Sequence, residues 1–495
     1  MKNAIRRRLQ EIFILSCAAC AAVSVAPAQT GPAPCSPPLC VTRTDDAPNP
    51  APGMLRYAIA MAPAGAVIAF DPAMNGKTIQ LDASAPNRHI RIERDVVIQG
   101  PGANLLAISG ENRTRIFFIS AGAVWISGVT LANGLAKGGD GAGGSGGGGG
   151  GGGAAGMGGA IFLKSGSLTL SGVALVRNRA VGGNGGSAGG SLAAGNGGAG
   201  AGFGTADLLA SGNSVPPGSA AGGPEPDGAG GRGGGSELGG SAGGAGGFGA
   251  GGGGGGCVLI DEGKAGGAGG ANGFGGGMGG PGATVDLQGD GPPAGGGAGG
   301  AGLGGAVFVS SGTLRLIDAA FVENASVAGL GGQRAAGGVA RGGALFLCAE
   351  ELCGAPHAAA AVYEGASSFR GNAADTGADR VCPGRDDTDV CGILASATVA
   401  RLSVRTPGAA LPGAPFKVSL TALDANGIPV FTYSGKVRLK SSDPDSVLPA
   451  VVDFSGGEAA FFTTLRRLGA HTITAVDAAD GSIQGSSSEV VVVAN

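Results

Sequence analysis

Two passages of this chain, GGAIFLKSGSLTLSGVALVRNRAV at 158–181 and GGAVFVSSGTLRLIDAAFVENASV at 304–327, align without a gap although a long glycine-dominated tract separates them. Each is a run of short alternating strands broken by turns such as Ser-Gly, and no stretch keeps helical spacing. A unit this small cannot bury its own apolar face, so it must stack on a similar one. A third copy opens at GGALFL and continues through AVYEGASSFRGNAAD, and a degenerate one precedes them at 115–134, RIFFISAGAVWISGVTLANG. The units are expected to be successive rungs of a parallel β-solenoid wound right-handed, as parallel crossovers are. Ile161, Leu163, Leu168, Leu170 and Leu175 would point inward in one rung, and Val307, Val309, Leu314, Leu316 and Phe321 in the next.

Each unit ends in an asparagine: Asn133, Asn178, Asn324 and Asn372. Stacked, these four would form a ladder in one turn, each amide bonding to the next. Residues 54–62, MLRYAIAMA, carry Leu55, Ile59 and Ala62 on one helical face and read as a cap over the open end of the coil.

The glycine between the rungs would be thrown out as a surface insertion, about 136–156 and 182–302, either flexible or glycine-packed. Roughly two-thirds of the 108 glycines fall between 138 and 302. A solenoid without 186–300 is expected to fold. The GxGxxG matches in the tract lack the strand and helix a dinucleotide site needs. Its aspartates, Asp140, Asp227, Asp261 and Asp290, are too isolated for calcium-binding repeats.

From Ala397 the text changes to alternating strands with Ala-Asn-Gly and Ala-Asp-Gly turns, which predicts an immunoglobulin-like sandwich over 396–495 after a solenoid domain over 29–395. Asp424, Asn426, Asp443 and Asp445 suggest calcium in its turns, but Asx residues are commoner there than ligands.

The N-terminus reads as an export signal over 1–28: a basic start with Lys2, Arg6, Arg7 and Arg8, the apolar run IFILSCAACAAVSVA, and cleavage after Ala26-Pro27-Ala28. A lipoprotein anchored at Cys17 is the alternative. No transmembrane segment is expected after cleavage. In an exported chain the cysteines read as local disulfides, Cys35–Cys40, Cys348–Cys353 and Cys382–Cys391, with Cys257 left over. Zinc is disfavoured because His89, His357 and His471 stand at no ligand spacing, and no cofactor is expected. A net charge of -3 argues against a nucleic-acid partner.

The pairing of Gly158-Gly159-Ala160-Ile161 with Leu175–Asn178, Gly304-Gly305-Ala306-Val307 with Phe321–Asn324, and Gly342-Gly343-Ala344-Leu345 with Phe369–Asn372 resembles the GGA[ILV]/FxxN repeats of chlamydial polymorphic outer-membrane proteins. Leu175 departs from that pattern. The opening LRYAIAMAPAGAVIAFDP…GKTIQL…VVIQGPG is similar to bacterial β-helix surface proteins. The run LTALDANGIPVFTYSGKVRLKSSDPDSVLP resembles bacterial Ig-like modules. The solenoid resemblance covers 41–135, 157–181 and 303–382, and implies a secreted or displayed right-handed β-helix. It does not fix an activity, because one solenoid hosts adhesins, lyases and stalks. The expected role is adhesion, interaction or structural display, toward an unidentified glycan or protein ligand.

The alternative is a polysaccharide lyase or glycoside hydrolase. That chemistry needs clustered carboxylates or carboxylates with Arg or Lys on one face. The rungs offer Asp318 and Glu323, Arg177 and Arg179, and Arg370 and Asp375. Arg177 and Glu323 occupy equivalent positions and read as a cross-rung ion pair. Asp379, Arg380, Arg385, Asp386 and Asp387 read as a solvated disulfide loop.

Overall fold

A computed structural model describes residues 39–83, 89–190, 230–234, 240–259, 266–285, 294–354, 358–374, 382, 388–425, 427 and 429–494. The chain is all-β, and its first part is a solenoid of stacked parallel sheets. One sheet runs through Cys40–Val41, Ala66–Phe70, Val96–Gln99, Ala123–Ser127, Ser167–Ser171, Gly312–Ile317, Ala359–Glu364 and Leu394–Ser396. A second holds Thr130–Ala132, Ala174–Val176, Ala320–Val322 and Ser368–Arg370. A third holds Phe117–Ile119, Ile161–Leu163, Val307–Val309 and Leu345–Leu347. Ile161 lies beside Val307, Leu168 beside Leu314 and Leu175 beside Phe321. The two repeated passages are therefore neighbouring coils, although 146 residues separate equivalent positions.

The alternation places all ten expected inward residues in one buried core. Phe321 and Phe369 stack inside it with centroids 4.8 Å apart. The helix Leu55–Met61 seats Leu55, Ala58 and Ile59 in the same core, as a cap should. The paired glycines that open each unit have distinct jobs. Gly158, Gly304 and Gly342 take φ of 61°, 63° and 59°, a region that penalises a Cβ. Gly159 and Gly305 instead face the carbonyl of the next rung, Gly305 and Gly343 respectively, where a Cβ has no room.

The tract leaves the coil as expected, but its described residues are not a loose loop. They are extended segments packed side by side and bonded backbone to backbone with a period of three. Gly150, Gly153 and Gly156 donate to Gly295, Ala298 and Ala301. Gly149 and Gly152 donate to Gly234 and Gly231, and Gly151 and Ala154 to Ala142 and Gly139. A polyproline-II-type helix has three residues per turn and no internal hydrogen bonds, so successive amides point to three different neighbours. Here other glycine segments take the place of water. The inner segments, 147–157, 250–258 and 294–309, are continuously buried. The stretch 328–338, which the sequence reading left out of the insertions, joins the same array through Gly329, Gly332 and Gly338.

The bundle rests on the outer face of the third sheet. Phe162, Phe308 and Phe346 stack there at centroid spacings of 5.0 and 5.3 Å. Phe248 and Phe274, from the bundle, pack onto them together with Met157 and Leu303. The tract is thus a glycine-packed second layer that covers an aromatic seam, and its inner segments are buried where a surface insertion was expected.

After Ser396, one residue past the expected boundary, the sheets become mainly antiparallel. Phe416–Leu423 pairs with Arg401–Arg405 and Glu458–Thr463, and Lys436–Ser441 pairs with Val451–Asp453 and Ile473–Asp477. Leu402, Val418, Leu420, Val437, Ile473 and Ala475 form a core separate from that of the solenoid.

Candidate functional site

Three of the four expected ladder asparagines come together. Asn178 donates its backbone and side-chain N–H groups to Asn324 Oδ1, both at 2.9 Å, and its amide also reaches Leu131 O. Asn324 repeats this toward Asn372 Oδ1 at 3.0 and 2.9 Å, and bonds Leu175 O. Asn372 donates to Phe321 O and to Asp389 Oδ1, so a carboxylate closes the ladder's far end. Asn178 and Asn324 are fully buried.

Asn133 is not a member. Leu135 pairs with Arg179, so the position level with Asn178 is Gly134, whose N–H donates to Asn178 Oδ1 at 2.8 Å. Gly134 fits because a Cβ there would meet Gly159 O. Asn133 lies one residue earlier, level with Arg177 and Glu323. These three share left-handed φ values of 52°, 52° and 54°, a region that asparagine tolerates better than most residues. In this degenerate rung the asparagine is therefore one residue out of step with the ladder.

The same corner brings Arg177 Nε to 3.6 Å from Glu323 Oε2 in an exposed cross-rung pair, an arrangement that contributes little to stability. Asp318 accepts from the Ala366 N–H at 2.7 Å in the next rung. The other candidate carboxylates, Asp375, Asp379, Asp386 and Asp387, lie outside the described residues, as do Arg380 and Arg385.

Cys348–Cys353 and Cys382–Cys391 are disulfides. Cys391 is level with Phe346, so the second bridge closes the foot of the aromatic seam. Cys40 is disulfide-bonded, and Cys35 lies outside the described residues. Cys257 is a free, buried thiol inside the bundle, and burial pushes its pKa up.

In the C-terminal part, Asp443, one of the residues considered for calcium, serves the backbone. Asp443 accepts from the amides of Asp445, Arg466 and Arg467 at 2.9, 2.6 and 3.1 Å. Burial alone would raise its pKa, but these donors hold the carboxyl below its usual value. Asp445 pairs with Arg467, and Asn426 lies outside the described residues. Asp477 behaves like Asp443. Burial opposes its charge, yet the Tyr433 hydroxyl and the amides of Asp480 and Ala479 keep its pKa low. Tyr433 is correspondingly pushed up by burial and by that carboxylate. Sequence reasoning missed both carboxylates' roles: the amide donors of Asp477 lie two and three residues on, but Asp443 takes only one donor from its own turn and two from 23 and 24 residues away.

A further cluster lies where the two parts meet. Arg315, on the outer face of the first sheet, bonds and pairs with Glu364 in the next rung. It also donates to Pro429 O and lies 5.1 Å from the Phe431 ring centre. Glu364 accepts from the Thr432 N–H at 3.1 Å and from the Thr432 hydroxyl. Trp125 meets Phe431 edge-on at 5.4 Å. Nothing in the spacing of the repeats announced this contact, because its partners come from unrelated sequence patterns.

Among the described residues no group of three or more His, Cys, Asp or Glu is placed to hold a metal ion. No described helix is long and apolar enough to cross a membrane. No family model matches the chain, and no curated protein matches it. Among solved structures, the chain is similar to surface layer protein SbsC domains 4–9, at 19% identity over 21% of this chain and 15% of that one, with a TM-score of 0.17. It is also similar to S-layer protein SbsC domains 4 and 5, at 19% identity over 20% of this chain and 55% of that one, with a TM-score of 0.16. The chain thus spans well under two-thirds of either of these structures.

Proposed function

We propose that this is an exported, non-enzymatic protein of the cell surface or extracellular space. Its right-handed β-helix would serve as a stalk for adhesion or display, and its C-terminal module would be an Ig-like domain. The N-terminal basic and apolar segments and the A-x-A site support export, with lipid attachment at Cys17 as the other way of reaching the surface. The GGA[ILV]/FxxN units support kinship with polymorphic outer-membrane repeats.

One observation carries the non-enzymatic reading: among the described residues, the ladder amides and the charged pairs of the rungs are engaged with one another and with the backbone. The ladder amides bond rung to rung, Arg177 meets Glu323, and Arg315 with Glu364 holds the C-terminal loop. Hydrolysis or elimination on a glycan would instead need a carboxylate left facing the substrate. The ligand expected is a surface glycan or protein. The test is a glycan array combined with a reducing-sugar release assay on the exported protein. Binding without sugar release supports this reading; release with turnover overturns it in favour of a carbohydrate-active solenoid. Surface labelling of intact cells, with the culture medium assayed in parallel, tests export separately.

A further inference from the structure

We infer that the Arg315–Glu364 pair is a clasp that fixes the C-terminal module on the solenoid, and that breaking it frees the module while both parts stay folded. The side chains at 315 and 317 point away from the coil's core, since Leu314 and Leu316 occupy it. Outward positions on a solenoid normally face water. At the level of Arg315 the earlier rungs carry Thr169, Trp125, Val97 and Val67, and Val67 is 47% exposed. Arg315 and Ile317 are nonetheless 7% and 6% exposed, and the Glu364 side chain is fully covered. The segment 429–432 of the module touches this place: Pro429 O accepts from Arg315, Phe431 lies over the guanidinium, and Thr432 donates to Glu364.

This arrangement makes the joint separable. Two charges away from water are tolerated while they are paired and fully hydrogen-bonded, and an unpaired one is costly. If Glu364 loses its charge, Arg315 is left buried and uncompensated. Its shortest route back to water is to lift the loop that covers it. The solenoid core beneath, made of Leu314, Leu316 and their neighbours, takes no part in that opening. The module's own core is likewise separate. The pair would therefore set the angle at which the module is carried, without being needed to fold either part.

The full chain carries its own probe, because Trp125 is its single tryptophan. Glu364→Gln should shift Trp125 emission to the red, increase its quenching by acrylamide and enlarge the radius of gyration in small-angle scattering. The cooperative β transition of the solenoid, followed by circular dichroism, should stay in place. Unchanged emission, quenching and scattering would overturn the clasp, and so would loss of the solenoid transition, which would make the pair part of the solenoid's own stability. Phe431→Ala tests the joint from the module side and leaves every solenoid residue native. It should also enlarge the scattering radius, and a wild-type radius would count against the inference.

Discussion

Asn324 shows how much one side chain can hold in this fold. Its carboxamide accepts two bonds from Asn178 and gives two, to Leu175 O and Asn372 Oδ1. Asn324→Leu keeps the volume but takes the acceptor from the Asn178 backbone N–H and the donor from Leu175 O in a buried turn, at about 1–3 kcal/mol for each unsatisfied group. Denaturant melts should show the solenoid losing stability on that scale. Asn133→Gly should have little effect, because Asn133 lies outside the ladder and its left-handed φ of 52° suits glycine. Equal losses in the two variants would mean that the ladder is not what holds this turn. The ladder itself was legible in the sequence because FxxN-type endings follow each GGA[ILV] opening: Asn178 and Asn324 stand 20 residues after Gly158 and Gly304, and Asn372 stands 30 after Gly342. Membership of Asn133 was misjudged for a local reason: Leu-Ala-Asn-Gly puts an asparagine and a glycine side by side, and pattern alone cannot tell the ladder position from the left-handed corner beside it.

The rungs and the glycine tract differ in what their sequences reveal. Alternation of apolar residues identified the ten strand positions that point inward in the two main rungs, because burial follows the period of a strand directly, but not Ala160, Val173, Ala306 and Ala319, which enter the same core beside the strands. The tract has no apolar period to read. Its order comes from backbone amides and carbonyls, which every residue carries, and glycine matters only by leaving room for them. A substitution test follows. Gly297 faces the carbonyl of Gly151, with no space for a Cβ, whereas Gly190 has nothing near it. Gly297→Ala should loosen the bundle, seen as faster amide exchange through 147–157 and 250–258, and Gly190→Ala should not. Equal protection in both would remove the case for a packed array. Deleting 186–300 should still leave a folded solenoid, but with its aromatic seam uncovered. The coils at 158–181 and 304–327 keep their shared core, but Phe308 and Phe346, now 1% and 0% exposed, would lose the cover of Phe248 and Phe274. The deletion should retain a cooperative β signal while binding an apolar dye and self-associating. A monomeric, dye-negative deletion would show that the seam needs no cover.

The molecule joins two parts that resist acid differently, because they hold their turns with different chemistry. The solenoid's inner turn relies on neutral amides bonded to each other. The C-terminal module fixes its turns with Asp443 and Asp477, both buried carboxylates whose donors hold their pKa values low. A carboxyl that is more acidic when folded contributes stability that is complete above its unfolded value, about 3.9 for aspartate, and lost as the pH falls through the folded value. Calorimetry of the full chain should therefore resolve a module transition, absent from a chain ending at 396, that moves down steeply below about pH 4. The solenoid transition should move less over the same range. Asp477→Asn should lower the module transition at neutral pH, where the Tyr433 hydroxyl loses its charged acceptor, and flatten its dependence below pH 4. If the solenoid transition falls first, or Asp477→Asn leaves the slope unchanged, the acid response must arise from charges other than those that hold the module's turns.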